Sequence, residues 1–146
     1  MTKLNPYLSF EGTCEEAFNF YRSIFGGDFL FVGRFKDMPE NSSYPVSESE
    51  KEKIMHITLP INNETVLYGC DASQPLKSST GFGNNISLSI ETDTIEEAFR
   101  IFNGLSEGGN ITMPLEKTFW DAYFGMITDK FGINWMVNYD LSKSKS

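Results

Sequence analysis

The chain has 146 residues, 40% of them hydrophobic and 22% charged, enough apolar material to bury a core without disulfides or a structural metal. Twelve Lys and Arg against 20 Asp and Glu leave a net charge of -8, which repels phosphate backbones and argues against nucleic acid as a partner. No signal-like leader and no apolar run of membrane-spanning length is present, so the expected location is the cytoplasm, with no membrane partner.

In chain order, Tyr7-Leu8-Ser9-Phe10 alternates apolar with polar residues as a half-buried strand does. Thr13 and Glu16 then form a capping-box pattern ahead of Ala17, Phe20, Tyr21 and Ile24, whose spacing marks one face of a helix that Gly26-Gly27 stops. Strand-like runs follow at 29–35, 54–61 and 65–70, separated by a polar segment, 36–53, that carries Pro39 and Pro45 and is expected to be a flexible loop. The order then repeats. Ser87-Leu88-Ser89-Ile90 alternates like the first strand, Thr94 and Glu97 repeat the capping pattern, and Ala98, Ile101, Phe102 and Leu105 repeat the helix face ahead of Gly108-Gly109. Runs at 110–115, 119–128 and 133–139 complete the second half, and the tail 141–146 is expected to fray.

Internal repetition of this kind fixes architecture. It predicts an α+β fold of two tandem βαβββ modules, about 4–71 and 84–140, in a single domain spanning 1–146. Alternation then sorts the side chains. Leu8, Phe10, Met55, Ile57, Leu59, Leu88, Ile90, Trp135 and Val137 are expected beneath the helices. Tyr7, Ser9, His56, Thr58, Leu67, Gly69, Ser87, Ser89, Asn134, Met136 and Asn138 are expected on the opposite, mixed face. In the aromatic run 119–124, alternation puts Trp120, Ala122 and Phe124 on one face and Phe119, Asp121 and Tyr123 on the other. Cys14 and Cys70 stand apart, without the spacing of a zinc site, and read as reduced thiols.

The strings Pro6-Tyr7-Leu8-Ser9-Phe10, Glu16-Ala17 with Phe20-Tyr21, Met55-His56, Asp71-Ala72, Thr118-Phe119-Trp120, and Asp129-Lys130-Phe131-Gly132 with Trp135 together resemble the vicinal oxygen chelate superfamily of glyoxalases, extradiol dioxygenases and bleomycin-resistance proteins, closest to its PhnB-like branch. The resemblance implies paired βαβββ modules whose curved mixed sheets enclose a cavity, frequently in a homodimer, and in some relatives a divalent metal held by one His or Glu from each of four strands. Those ligand positions fall near Tyr7, near Leu67 or Gly69, at about Ser87 and at about Met136, and none is His, Asp or Glu. Glu11, Asp71, Glu91 and Glu116 are the acidic residues that could substitute. Residue 121, often Gly in the family, is Asp here.

No cofactor is expected. Relatives of this branch sometimes carry a methyltransferase label, yet Gly81-Phe82-Gly83 precedes a strand and does not join a strand to a helix, so it lacks the context of a nucleotide loop. The expectation is a homodimeric, metal-free protein that binds a small aromatic or amphipathic molecule, with Tyr7, His56, Ser87, Trp120 and Met136 lining the site. The alternative is a lyase, isomerase or dioxygenase that recruits a metal through acidic residues, or uses His56 with a tyrosine for acid/base work.

Overall fold

The computed structural model describes residues 2–37, 46–72 and 80–142. The middle of the predicted loop, 38–45, and the tail residues 143–146 lie outside the described residues. The chain divides into two compact units, Met1–Gly81 and Phe82–Ser146.

In the first unit, β1 (Tyr7–Phe10), α1 (Cys14–Phe25), β2 (Phe31–Arg34), β3 (Ile54–Pro60) and β4 (Val66–Asp71) follow one another. The sheet order is β1-β4-β3-β2, with β1 parallel to β4 and the other neighbours antiparallel. The second unit repeats this plan with β5 (Leu88–Glu91), α2 (Ile95–Ser106), β6 (Asn110–Lys117), β7 (Ala122–Thr128) and β8 (Asn134–Asp140), in the order β5-β8-β7-β6 and again with one parallel pair. Two four-stranded mixed sheets, each with one helix, give the expected α+β architecture of two βαβββ modules. Both sheets remain open at their edges.

Each helix covers one face of its own sheet. Under α1 lie Phe10, Ile57, Leu59 and Leu67 against Ala17, Phe18 and Tyr21, all buried, with Phe10 edge-on to Phe18 at 6.4 Å between ring centroids. Phe18 takes a core position that the predicted face left out, while Phe20 is only half-buried. Under α2 the face of Ala98, Ile101, Phe102 and Leu105 is buried against Ile127, Trp135 and Val137. Two glycines permit this closeness. A Cβ on Gly69 would lie 2.4 Å from Phe18, and one on Gly125 would lie 2.6 Å from Phe102.

The two helix starts differ from the predicted pair of capping boxes. Thr94 Oγ1 does accept from the Glu97 amide at 3.1 Å, but the Glu97 carboxylate is engaged by Arg100. Thr13 makes no side-chain cap. Its place is taken by the buried carboxylate of Asp71, whose Oδ1 accepts from the Gly12 and Cys14 amides and whose Oδ2 accepts from the Ile54 amide, each at 2.9 Å. A charged acceptor satisfies those amides better than a threonine hydroxyl can, so the long-range partner displaces the local one. In the second unit Asp129 plays a comparable part, accepting from the Phe131 and Ile133 amides and from the Trp135 indole N–H at 2.8 Å.

The ends of the 36–53 segment are ordered. Short 3₁₀ turns form at Phe35–Asp37 and Glu48–Glu50, and the Phe35 and Lys36 amides donate to the Lys53 and Lys51 carbonyls, both at 3.1 Å.

Candidate functional site

On the side of the first sheet away from α1, register alone assembles a group of polar and aromatic residues. Tyr7 pairs with Tyr68 and Ser9 with Cys70 across the parallel β1–β4 ladder; Thr58 pairs with Tyr68 and with Phe31, and His56 with Gly33. Residues opposite one another in a ladder project to the same face, so these side chains meet. The Tyr7 hydroxyl lies 3.2 Å from His56 Nδ1, and Thr58 Oγ1 lies 3.2 Å from His56 Nε2. Three rings surround the imidazole, with centroids at 5.7 Å for Tyr7, 5.5 Å for Tyr68 and 5.9 Å for Phe31. Tyr7 and Tyr68 are near-parallel, 6.1 Å apart at 20°. Gly33 leaves room for this cluster, because a Cβ there would come within 2.8 Å of the Phe31 ring.

Tyr7 is 52% exposed, but its hydroxyl end sits against His56 and near Cys70. Burial first, and then the Cys70 sulfur, push the phenol well above its ordinary value, so it stays protonated. Cys70 Sγ also lies 3.8 Å from Ser9 Oγ. Cys14, by contrast, is buried under the helix, and burial with the nearby Asp71 charge pushes its thiol far up, which keeps it an inert core residue.

The open face of the second sheet carries Ser89, Met126, Met136, Phe124 and Asn138. Met136 pairs with Ser89 and with Met126, while Ser87 is half-buried one residue ahead of β5. The predicted strand 119–128 begins only at Ala122, because Phe119, Trp120 and Asp121 form a turn. The alternation expected across 119–124 therefore holds only from Ala122 onward. Trp120 still reaches the expected neighbour, with ring centroids 6.0 Å from Phe124. Asp121 has φ 64, a left-handed conformation that Gly adopts freely and that Asp tolerates better than most residues. The departure from the family's glycine thus preserves the backbone turn.

Of the five expected lining residues, Tyr7 and His56 touch. Trp120 joins an aromatic group with Phe124, Met136 lies mid-sheet, and Ser87 stands at a strand's entry. The first pair belongs to the first unit and the other three to the second. Two expected open-face residues are misplaced: Leu67 is buried and Gly69 abuts Phe18, so both face α1. The residues that face outward on β4 are Tyr68 and Cys70, one step along. Alternation from Leu67, an obvious core residue, carries that signal. Phe31 was missed because its neighbours Leu30 and Val32 are equally apolar and give no period.

Two βαβββ modules, each with a helix-covered face and an open polar and aromatic face, define a member of the vicinal oxygen chelate superfamily. The family described as 3-demethylubiquinone-9 3-methyltransferase matches residues 2–138, and the chain belongs to it, in the PhnB-like branch of that superfamily. It is 31% identical over 137 residues to protein YjdN of Escherichia coli K12, covering 92% of this chain and 93% of that one. It is similar to the crystal structure of protein PA1353 from Pseudomonas aeruginosa, with 38% identity, TM-score 0.79, and 96% and 98% of the two chains covered. The PhnB protein from Bacillus cereus follows at 26% identity, TM-score 0.74, and 94% and 99% coverage.

The superfamily implies a divalent metal in some members, and the residues here do not fit one. The positions that the resemblance assigns to ligands lie near Tyr7, near Leu67 or Gly69, at about Ser87 and at about Met136, and neither these nor the outward-facing Tyr68 and Cys70 of β4 are carboxylates or imidazoles. The Asp71 carboxylate is spent on three backbone amides, and among the described residues no three His, Cys, Asp or Glu side chains converge. The family's description implies a methyl-donating cofactor, and the fit is again poor. Gly81-Phe82-Gly83 lies in irregular chain ahead of β5, and the amides at the start of α1 are taken by Asp71.

Proposed function

We propose that this protein binds a flat aromatic or amphipathic small molecule without a metal, and that it works as a cytoplasmic homodimer. The lining residues in this reading are Tyr7 and His56, joined by Tyr68 and Phe31, in the first unit, and Ser87, Trp120 and Met136 in the second. One observation carries it: the hydrogen-bonded ring cluster of Tyr7, His56, Tyr68 and Phe31 on a sheet face that the helix leaves uncovered. Aromatic faces favour flat ligands, and a few polar atoms among them orient a ligand without requiring charge. Solubility alone gives no reason to keep large rings outside the core, whereas a ligand site does. In further support, no helix among the described residues is long and apolar enough to cross a membrane.

Native mass spectrometry of protein taken directly from cells tests the reading. The expected result is a dimer mass with a retained organic molecule and no stoichiometric metal. Thermal shift with divalent ions should give no stabilisation, whereas a ligand at about 100 times its Kd should add about 2.7 kcal/mol. A bound equivalent of metal that stabilises the fold would overturn the metal-free reading, and a monomer would overturn the dimer.

A further inference from the structure

We propose that Tyr7, His56 and Thr58 form a proton relay that ionises a flat phenol or enol and holds the resulting oxyanion on the open face of the first sheet. The inference rests on reading that face as a binding site and adds the class of ligand and the chemistry done to it.

The relay follows from counting protons. A phenol has one proton to donate and oxygen lone pairs to spare, while a neutral imidazole donates from one nitrogen and accepts at the other. In the tautomer that lets the Tyr7 hydroxyl donate to His56 Nδ1 at 3.2 Å, His56 Nε2–H donates to Thr58 Oγ1 at 3.2 Å. The Tyr7 oxygen has two lone pairs, so beside the Cys70 sulfur it can still accept from a ligand, on a residue that is half exposed. A ligand hydroxyl that donates to it completes a line from ligand to tyrosine to imidazole.

Transfer along that line balances. The ligand O–H bond breaks as a new O–H forms on Tyr7, and the former Tyr7 proton moves to Nδ1. The products are a ligand oxyanion, a neutral Tyr7 and an imidazolium. Tyr7 now donates to the oxyanion and accepts from Nδ1–H, so the anion is held by a hydrogen bond with a positive charge directly behind it. Tyr7 itself resists ionisation, because burial and the Cys70 sulfur raise its proton affinity, so the negative charge settles on the ligand. Tyr68 and Cys70 are the other titratable side chains beside this group, and the Cys70 sulfur shares the Tyr7 hydroxyl with His56.

Three features select the ligand. Proton transfer is most efficient between groups of similar acidity, and phenols and enols bearing withdrawing groups match an imidazole better than simple alcohols do. The near-parallel Tyr7 and Tyr68 rings favour a flat molecule. The net charge of -8 disfavours capture of a preformed anion, so a neutral acid that ionises on arrival is the better guest.

The test uses two probes on the full-length protein: 4-nitrophenol, whose colour reports ionisation, and 4-nitroanisole, its methyl ether, which has no proton to give. Wild type should bind both, and bound nitrophenol should have its pKa lowered by about one unit, a tenfold rise in the ratio of anion to acid. Because the chain has one histidine, its ring nitrogen resonances report the relay without ambiguity, and they should move to the imidazolium pattern only with nitrophenol. Tyr7→Phe and His56→Gln, each checked for native circular dichroism, should lose the ionisation of whatever nitrophenol they bind. Unchanged ionisation of bound nitrophenol in wild type, or equal ionisation in Tyr7→Phe, overturns the relay. If wild type binds nitroanisole without ionising nitrophenol, only the relay fails; if it binds neither probe, the binding reading fails with it. Should His56→Gln not fold, Tyr7→Phe and the wild-type histidine signals decide the matter.

Discussion

Replacing Asp71 by Ala should be among the most damaging single substitutions in the first unit, although Asp71 belongs to neither apolar core. Its carboxylate accepts from the amides of Gly12, Cys14 and Ile54, which joins the end of β4 to the start of α1 and the start of β3. The Cys14 and Ile54 bonds are buried, so water cannot replace the lost acceptor there. Leaving a buried donor unsatisfied costs about 1–3 kcal/mol, and removing an anion from a helix N-terminus adds about 0.3–1 kcal/mol. Two such donors and the helix term give about 2–7 kcal/mol, a large part of the roughly 5–15 kcal/mol that holds a domain together. In urea, a loss of about 4 kcal/mol at a slope of about 2 kcal/mol per M moves the unfolding midpoint down by about 2 M. Asp71→Asn should fall between, since the retained oxygen serves Gly12 and Cys14 while the amide nitrogen confronts the Ile54 N–H. A midpoint for Asp71→Ala within about 0.5 M of wild type, or Asp71→Asn equal to wild type, would refute the reasoning.

Gly69→Ala and Gly125→Ala should each cost about 1–3 kcal/mol by overpacking against Phe18 and Phe102, and in the double variant Phe18→Leu/Gly69→Ala, denaturation should show part of the Gly69 loss recovered. Asp121→Val should destabilise by about 1–2 kcal/mol in a denaturation series, because a β-branched residue is forced to φ 64. The hydrogen bond from Arg34 holds the Glu15 carboxyl below its ordinary value, so the pair stabilises the fold above the carboxylate range and the effect fades as pH falls through it. Both side chains are partly exposed, so Arg34→Met should cost at most about 1 kcal/mol at neutral pH, and the difference from wild type should shrink below about pH 4.

Duplication was legible in the sequence because each half had to carry its own helix face, with Ala17, Tyr21 and Ile24 answered by Ala98, Phe102 and Leu105, and its own alternating first strand. Those patterns are local, and burial leaves little freedom in how they are met. The face of β4 was less legible: an alternating strand reads equally well in either register until something fixes which side meets the helix. Gly69 under Phe18 fixes it, and that contact is long-range. Helix capping failed as a local reading for the same reason, since the acceptor that completes the start of α1 comes from Asp71, 57 residues beyond Cys14. His56 could be singled out by composition and Tyr7 by alternation. Their hydrogen bond, and the rings of Tyr68 and Phe31 around them, exist because sheet register sets β1, β4, β3 and β2 side by side, and hydrogen-bonded pairing between distant segments is decided only when the whole sheet forms.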